Sequence, residues 1–152
     1  MDRRRDSGGK RAAAAPARNA LLAVAAGGAM GAPVRVEVSR LLVTVPGTFP
    51  WTTFAINLVG SALLGALMVG LVERRAGHPL LRPLLATGFL GAFTTFSALS
   101  VEADLLARGH HLGAAVGYLT ASLAGGMLAV AIGTGVARRA WGQARALRAG
   151  DR

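Results

Sequence analysis

Four long stretches of this chain contain no Asp, Glu, Lys or Arg: Asn19 to Val34, Leu41 to Val72, Pro83 to Val101, and Gly109 to Ala137. A helix needs about 20 mostly apolar residues to cross a bilayer, and a charge placed inside one is costly. The pattern therefore predicts an all-α integral membrane protein with four transmembrane helices. The first stretch is short alone, but Leu41, Leu42 and Val43 resume the apolar run beyond Arg35, Glu37 and Arg40, so the first helix is expected over Asn19 to Val43. Twenty-one glycines in 152 residues suit the same class, because small residues let membrane helices approach closely.

The net charge of +10 is unevenly placed. Arg3, Arg4, Arg5, Lys10, Arg11 and Arg18 precede the first helix, Arg74, Arg75 and Arg82 lie between the second and third, and Arg138, Arg139, Arg145, Arg148 and Arg152 follow the fourth. Fourteen of seventeen basic residues thus fall on one side, leaving Arg35, Arg40 and Arg108 for the other. By the positive-inside rule that side is the cytoplasm, with both termini in it. Residues 1–18 read as a disordered basic tail, 19–137 as the membrane domain, and 138–152 as a second basic tail, either a short amphipathic surface helix or frayed. The tails lack the interleaved aromatics of a nucleic-acid surface, so no nucleic-acid partner is expected. With no cysteine, disulfides and thiol chemistry are excluded.

The third stretch is the least helix-like. Between Gly88 and Ser100 it holds Gly88, Gly91, the adjacent Thr94 and Thr95, Ser97, and three phenylalanines at 89, 93 and 96. Glycine costs about 1 kcal/mol against alanine in a helix interior, and β-branched threonine is stiff at χ1, so a helix broken mid-membrane is expected. Backbone freed at bilayer depth is tolerated only where protein buries it or a wet cavity meets it. The break therefore marks a binding site or pore, with amides that suit an anion and carbonyls that suit a cation.

The second stretch places Thr53, Asn57, Ser61 and Gly65 four residues apart, hence on one face. Ser61 and Gly65 read as packing positions, whereas a carboxamide at mid-depth is a site candidate. Tyr118, Ser122 and Gly126 repeat the spacing in the fourth stretch, and Gly27 and Gly31 form a flat strip in the first. Arg35 is either an interface arginine that snorkels or a fixed charge at the mouth of an anion path. Glu102 and Asp104 near the outer end of the third helix have no neighbours to make a metal cage, and the adjacent His110 and His111 do not make a zinc site. Nothing pairs a nucleophile with a base, so no enzyme is expected. Uncharged donors with no fixed acid suit a small anion, whose dehydration the path must offset.

Gly88-Phe89-Leu90-Gly91-Ala92-Phe93-Thr94-Thr95-Phe96-Ser97 followed by Glu102 resembles the third-helix signature of the Fluc (CrcB) fluoride channels. The likeness extends to Gly31-Ala32 with Arg35 and to Ile56-Asn57 with Gly60, and covers all four helices. It implies an antiparallel, dual-topology dimer in a lipid bilayer, with two fluoride pores and a structural sodium ion at its centre. The backbone carbonyls of Gly91 and Thr94 would hold the sodium. Phe96 would be the first ring of the pore, with Thr95 and Ser97 beside it; Asn57 would be its amide, and Thr53, Tyr118 and Ser122 its polar track. Arg35 would sit in the aqueous vestibule.

Three positions depart from that family. The second pore phenylalanine falls on Leu99, the tyrosine after the vestibule arginine on Val36, and the last polar-track serine on Gly126. A homodimer would therefore lack one ring in each pore, and the charge bias favours one orientation over two. The resemblance implies a fluoride exporter of the plasma membrane, either as a homodimer or as a heterodimer with an oppositely inserted paralogue. A non-conducting partner subunit is the alternative. A small multidrug-type transporter fits less well, since the first helix lacks the acidic residue that proton exchange needs.

Overall fold

The computed structural model describes residues 6–42, 45, 47–73 and 78–150, with side chains described over 17–42, 45, 47–71 and 78–144. Arg3, Arg4, Arg5, Val43 (the expected end of the first helix), Thr44, Pro46, Arg74, Arg75 and Arg152 lie outside the described residues. Among those described, every regular element is a helix. These are α1 (Asp6–Leu41), α2 (Trp51–Met68) continuing as a π-helical turn over Val69–Glu73, and α3, π-helical over Arg82–Leu90 and α-helical over Gly91–Phe93. They are followed by α4 (Phe96–Arg108) and α5 (Leu112–Gly150). Four spans are long and apolar enough to cross a membrane: Ala17–Leu41, Trp51–Leu71, Arg82–Arg108 and Leu112–Ala144.

Two of these helices are longer than the charge pattern suggests. The backbone of α1 is helical from Asp6, through residues expected as a tail, and α5 continues past Ala137 to Gly150. Apolar periodicity reports burial, and these segments have none. Their alanines and arginines are nonetheless among the strongest helix formers and continue each helix past its apolar span, in α1 despite Gly8, Gly9 and Pro16.

The bundle is built from two tight helix pairs, α1 with α3 and α2 with α5. Glycine makes both possible. A Cβ at Gly27 would fall on the carbonyl oxygen of Leu84, and one at Gly31 on that of Phe89, while Gly88 faces Val24 with as little room. In the second pair a Cβ at Gly65 would meet the Val130 carbonyl, and one at Gly133 the Ala62 carbonyl. Backbones touch at these points, as the strip of Gly27 and Gly31 predicts. Two apolar clusters fill the remaining space. Ile56, Leu90 and Phe93 form one, with Phe89 against it; Leu99, Ala103, Leu106, Ala115 and Tyr118 form the other, under Phe49 and Phe54. Phe49 makes T-shaped contacts with both Phe54 and Tyr118, with centroids 5.4 and 5.2 Å away, an arrangement that aromatic quadrupoles favour.

The third span is not one continuous helix. Thr94 (φ −77°, ψ 159°) and Thr95 (φ −146°, ψ 118°) are both extended, and helical geometry resumes at Phe96. Thr95 then serves as the N-cap of α4, its hydroxyl accepting from the Ala98 amide at 3.1 Å, as a threonine in that position commonly does.

Candidate functional site

The extended pair at Thr94 and Thr95 leaves backbone groups to be satisfied, and the structure shows where they go. Asn57 on α2 takes both polar groups of Thr95: its Oδ1 accepts from the Thr95 amide at 2.9 Å, and its Nδ2 donates to the Thr95 carbonyl at 3.0 Å. A carboxamide offers one acceptor and two donor hydrogens, so one N–H of Asn57 remains. From α1, Arg35 donates through Nε to the Ala92 carbonyl at 3.1 Å. Thr94 bonds back to Leu90, whose carbonyl accepts from both its amide (3.0 Å) and its hydroxyl (2.9 Å). Gly60 permits the approach of α2, since a Cβ there would strike the Thr94 methyl.

Four carbonyls lose their helical donors in this arrangement. In a continuous helix Gly91, Ala92, Phe93 and Thr94 would accept from the amides of residues 95, 96, 97 and 98. The first and last of those amides instead donate to Asn57 Oδ1 and Thr95 Oγ1, and the Ala92 carbonyl accepts from Arg35. Hard oxygen donors of this kind, unwound carbonyls at a helix break, are what sodium takes in membrane proteins. The carbonyls of Gly91 and Thr94, left without helical donors, are oxygens of this kind.

Beside the break lies a cavity of about 280 Å³ lined by Asn57, Gly60, Ser61, Leu64, Ala86, Leu90, Gly91, Thr94, Thr95, Phe96, Leu99, Ser122 and Leu123. No ionisable side chain lines it. Ser122 contributes a buried hydroxyl with no hydrogen-bond partner among the described residues, which is uncommon for a buried polar group and calls for a ligand or water. Phe96 is 75% exposed at the N-terminus of α4, whereas Leu99 is buried, one wall of the cavity and part of the apolar cluster behind it. Ser97 is exposed, its hydroxyl 3.1 Å from that of Thr95.

Thr53 and Tyr118 do not join this cavity. Both hydroxyls donate to Glu102, Thr53 to Oε1 and Tyr118 to Oε2, each at 2.7 Å. Tyr118 is fully buried, and Glu102 also lines a second cavity of about 440 Å³ under the α1–α2 loop, with Thr48, Pro50, Leu105 and His111 in its wall. Sequence reading placed Glu102 only at the helix end. A carboxylate within a span demands partners, and the two hydroxyl-bearing stripes supply them from α2 and α5. The Arg35 contact with the break was also missed, since a backbone carbonyl acceptor leaves no trace in a side-chain pattern.

Residues 22–134 match the family described as "CrcB-like protein, Camphor Resistance (CrcB)". The chain belongs to the CrcB family. Among its relatives, a fluoride-specific ion channel FluC 1 from Mycolicibacterium paratuberculosis is 44% identical over 119 residues, covering 78% of this chain and 90% of the relative. A FluC 2 of the same description from Nocardia farcinica is 42% identical over 125 residues, covering 82% and 89%. A FluC 1 from Streptomyces coelicolor is 40% identical over 134 residues, covering 84% and 87%. These CrcB relatives are channels and not enzymes, and with the four spans they make this CrcB chain a multi-pass membrane protein.

Proposed function

We propose that this chain is a fluoride-selective channel that lets fluoride leave the cytoplasm across the plasma membrane, both termini being cytoplasmic. The buried, unpartnered Ser122 hydroxyl carries this reading. It stands in an uncharged cavity beside the break, with Asn57, Thr95 and the Phe96 ring in the same wall. A small anion is held there by hydroxyl and amide hydrogens and by the electropositive edge of a phenyl ring, with no fixed cation to trap it. Every relative reported above bears the name of a fluoride-specific channel, which supports the choice of ion.

The carbonyls of Gly91 and Thr94 supply half of a sodium site, and a second copy of the break completes it. When bound, the ion supplies a fixed positive charge that holds those oxygens together. The arrangement that brings two breaks face to face is an antiparallel dimer, and the 75% exposure of Phe96 is consistent with a partner covering it. The partner's identity is a second reading supported by two observations. Leu99, at the second aromatic position, is an aliphatic wall of the cavity, and fourteen of seventeen basic residues favour a single orientation. Both fit a heterodimer whose oppositely inserted paralogue brings the missing ring.

The test is fluoride efflux from liposomes carrying the purified chain, read with a fluoride electrode against chloride. Fast fluoride-selective efflux that Phe96→Ile abolishes supports a conducting homodimer. Efflux only on co-reconstitution with a paralogue supports the heterodimer, and absence of fluoride selectivity in both preparations overturns the channel reading.

A further inference from the structure

Arg35 reaches the break in an unusual way. The helices α1 and α3 run in register: Gly27 and Gly31 of α1 lie on the carbonyls of Leu84 and Phe89, and Arg35, one turn beyond Gly31, lies on the carbonyl of Ala92. Its contact is made by Nε, at 3.1 Å, and not by the terminal nitrogens. Ala92 is one of the four residues whose carbonyls have lost their helical donors, Gly91, Ala92, Phe93 and Thr94. A basic side chain that bonds a last carbonyl of a helix both satisfies an orphan acceptor and complements the macrodipole. Here the acceptor it satisfies is one of the four carbonyls that the break orphans, and taking Ala92 leaves those of Gly91 and Thr94.

We infer that Arg35 is a positioning residue for the cation site at the break: it caps α3 through its Nε–H and so sets which carbonyls remain free to bind sodium. The inference rests on the sodium reading given above and departs from a role for Arg35 as a vestibule charge. The two roles separate cleanly by chemistry. Glutamine carries its amide nitrogen the same number of bonds from Cα as Arg Nε, so Arg35→Gln keeps an N–H donor at that point and removes the charge. Lysine keeps the charge but has a methylene at that point, and its compact ammonium does not replace a guanidinium donor.

The measurement is the sodium-dependent rise in melting temperature of the full chain in detergent, titrated with sodium chloride against choline chloride at constant ionic strength, since a ligand that binds only the folded state raises stability with its concentration. Arg35→Gln is expected to keep the sodium half-saturation within about threefold of wild type, and Arg35→Lys to raise it by about tenfold or more, the loss of a capping hydrogen bond being of that order. The reverse pattern, with Lys retained and Gln lost, overturns positioning in favour of charge, and equal responses in all three chains overturn it too. If Arg35→Lys does not fold, Arg35→Gln decides alone, because loss of its sodium response is incompatible with the proposal. If wild type shows no sodium response while its fluoride efflux is intact, the sodium reading itself fails and takes this one with it.

Discussion

Asn57 gives both halves of its carboxamide to the backbone of Thr95, so its first task is to stand in for the missing turn of helix. Asn57→Asp keeps the acceptor for the Thr95 amide but sets a carboxylate oxygen against the Thr95 carbonyl. Each buried polar group left unpaired costs about 1–3 kcal/mol, and the new charge repels an anion. Loss of fluoride efflux with a lowered melting temperature is expected, and an Asp variant that conducts like wild type contradicts this role. Glu102 is a comparable hub. Tyr118→Phe and Thr53→Val each orphan one carboxylate oxygen and should each destabilise by about 1–3 kcal/mol. Adding Glu102→Leu to the pair should recover part of that loss, because coupled groups are not additive; strict additivity in a thermal-melt cycle counts against the network. At the end of α4, His110 adopts φ 61°, and the amides of His110 and His111 bond the carbonyls of Ala107 and Leu106 in the pattern of a Schellman cap, where glycine is the usual residue. His110→Gly is therefore expected to stabilise the chain by about 1 kcal/mol, visible as a higher melting temperature with efflux unchanged.

At the scale of elements, the glycines divide into those that carry helix contacts and those that do not. A side chain at Gly133 lands on the Ala62 carbonyl, whereas at Gly135, two residues along the same helix, it meets nothing. Gly133→Ala should force α2 and α5 apart at a cost of about 1–3 kcal/mol and reduce the yield of folded protein in detergent. Gly135→Ala should be neutral or slightly stabilising by helix propensity, and similar behaviour of the two variants contradicts the packing. Sequence made much of this legible. Charge-free stretches marked the spans because a bilayer penalises charge along a helix, and the four-residue spacing of Gly27 and Gly31 marked a contact face. The same spacing put Thr53 and Asn57 on one stripe, yet it could not say that the first would turn to Glu102 and the second to Thr95. A stripe fixes a face, while the partner across it depends on the register between helices. The extent of α1 and α5 was hidden for a related reason, since an apolar pattern stops where burial stops and the backbone need not stop there.

For the whole molecule, the exposed apolar surface and the charge bias have to be satisfied together. Phe96 on α4 and Leu123 and Met127 on α5 are 75%, 62% and 77% exposed, and the first two line the cavity at the break, so this wall is open in one chain and closes only against lipid or a partner. If the partner is an inverted copy of the same chain, half of the molecules must place fourteen basic residues on the outer side, against the rule that orients membrane proteins. An inverted paralogue with the opposite bias has no such conflict. The absence of cysteine makes the distinction measurable without background: single cysteines introduced at Ser7 and, separately, at Thr48 can be probed with a membrane-impermeant maleimide in intact cells and after permeabilisation. The heterodimer predicts that the Thr48→Cys chain is labelled from outside and the Ser7→Cys chain only after permeabilisation, whether or not a partner is present. Equal external labelling at the two positions would mean that this chain inserts both ways, that its basic residues do not fix its orientation, and that two copies with Leu99 in place of a ring can meet across the break.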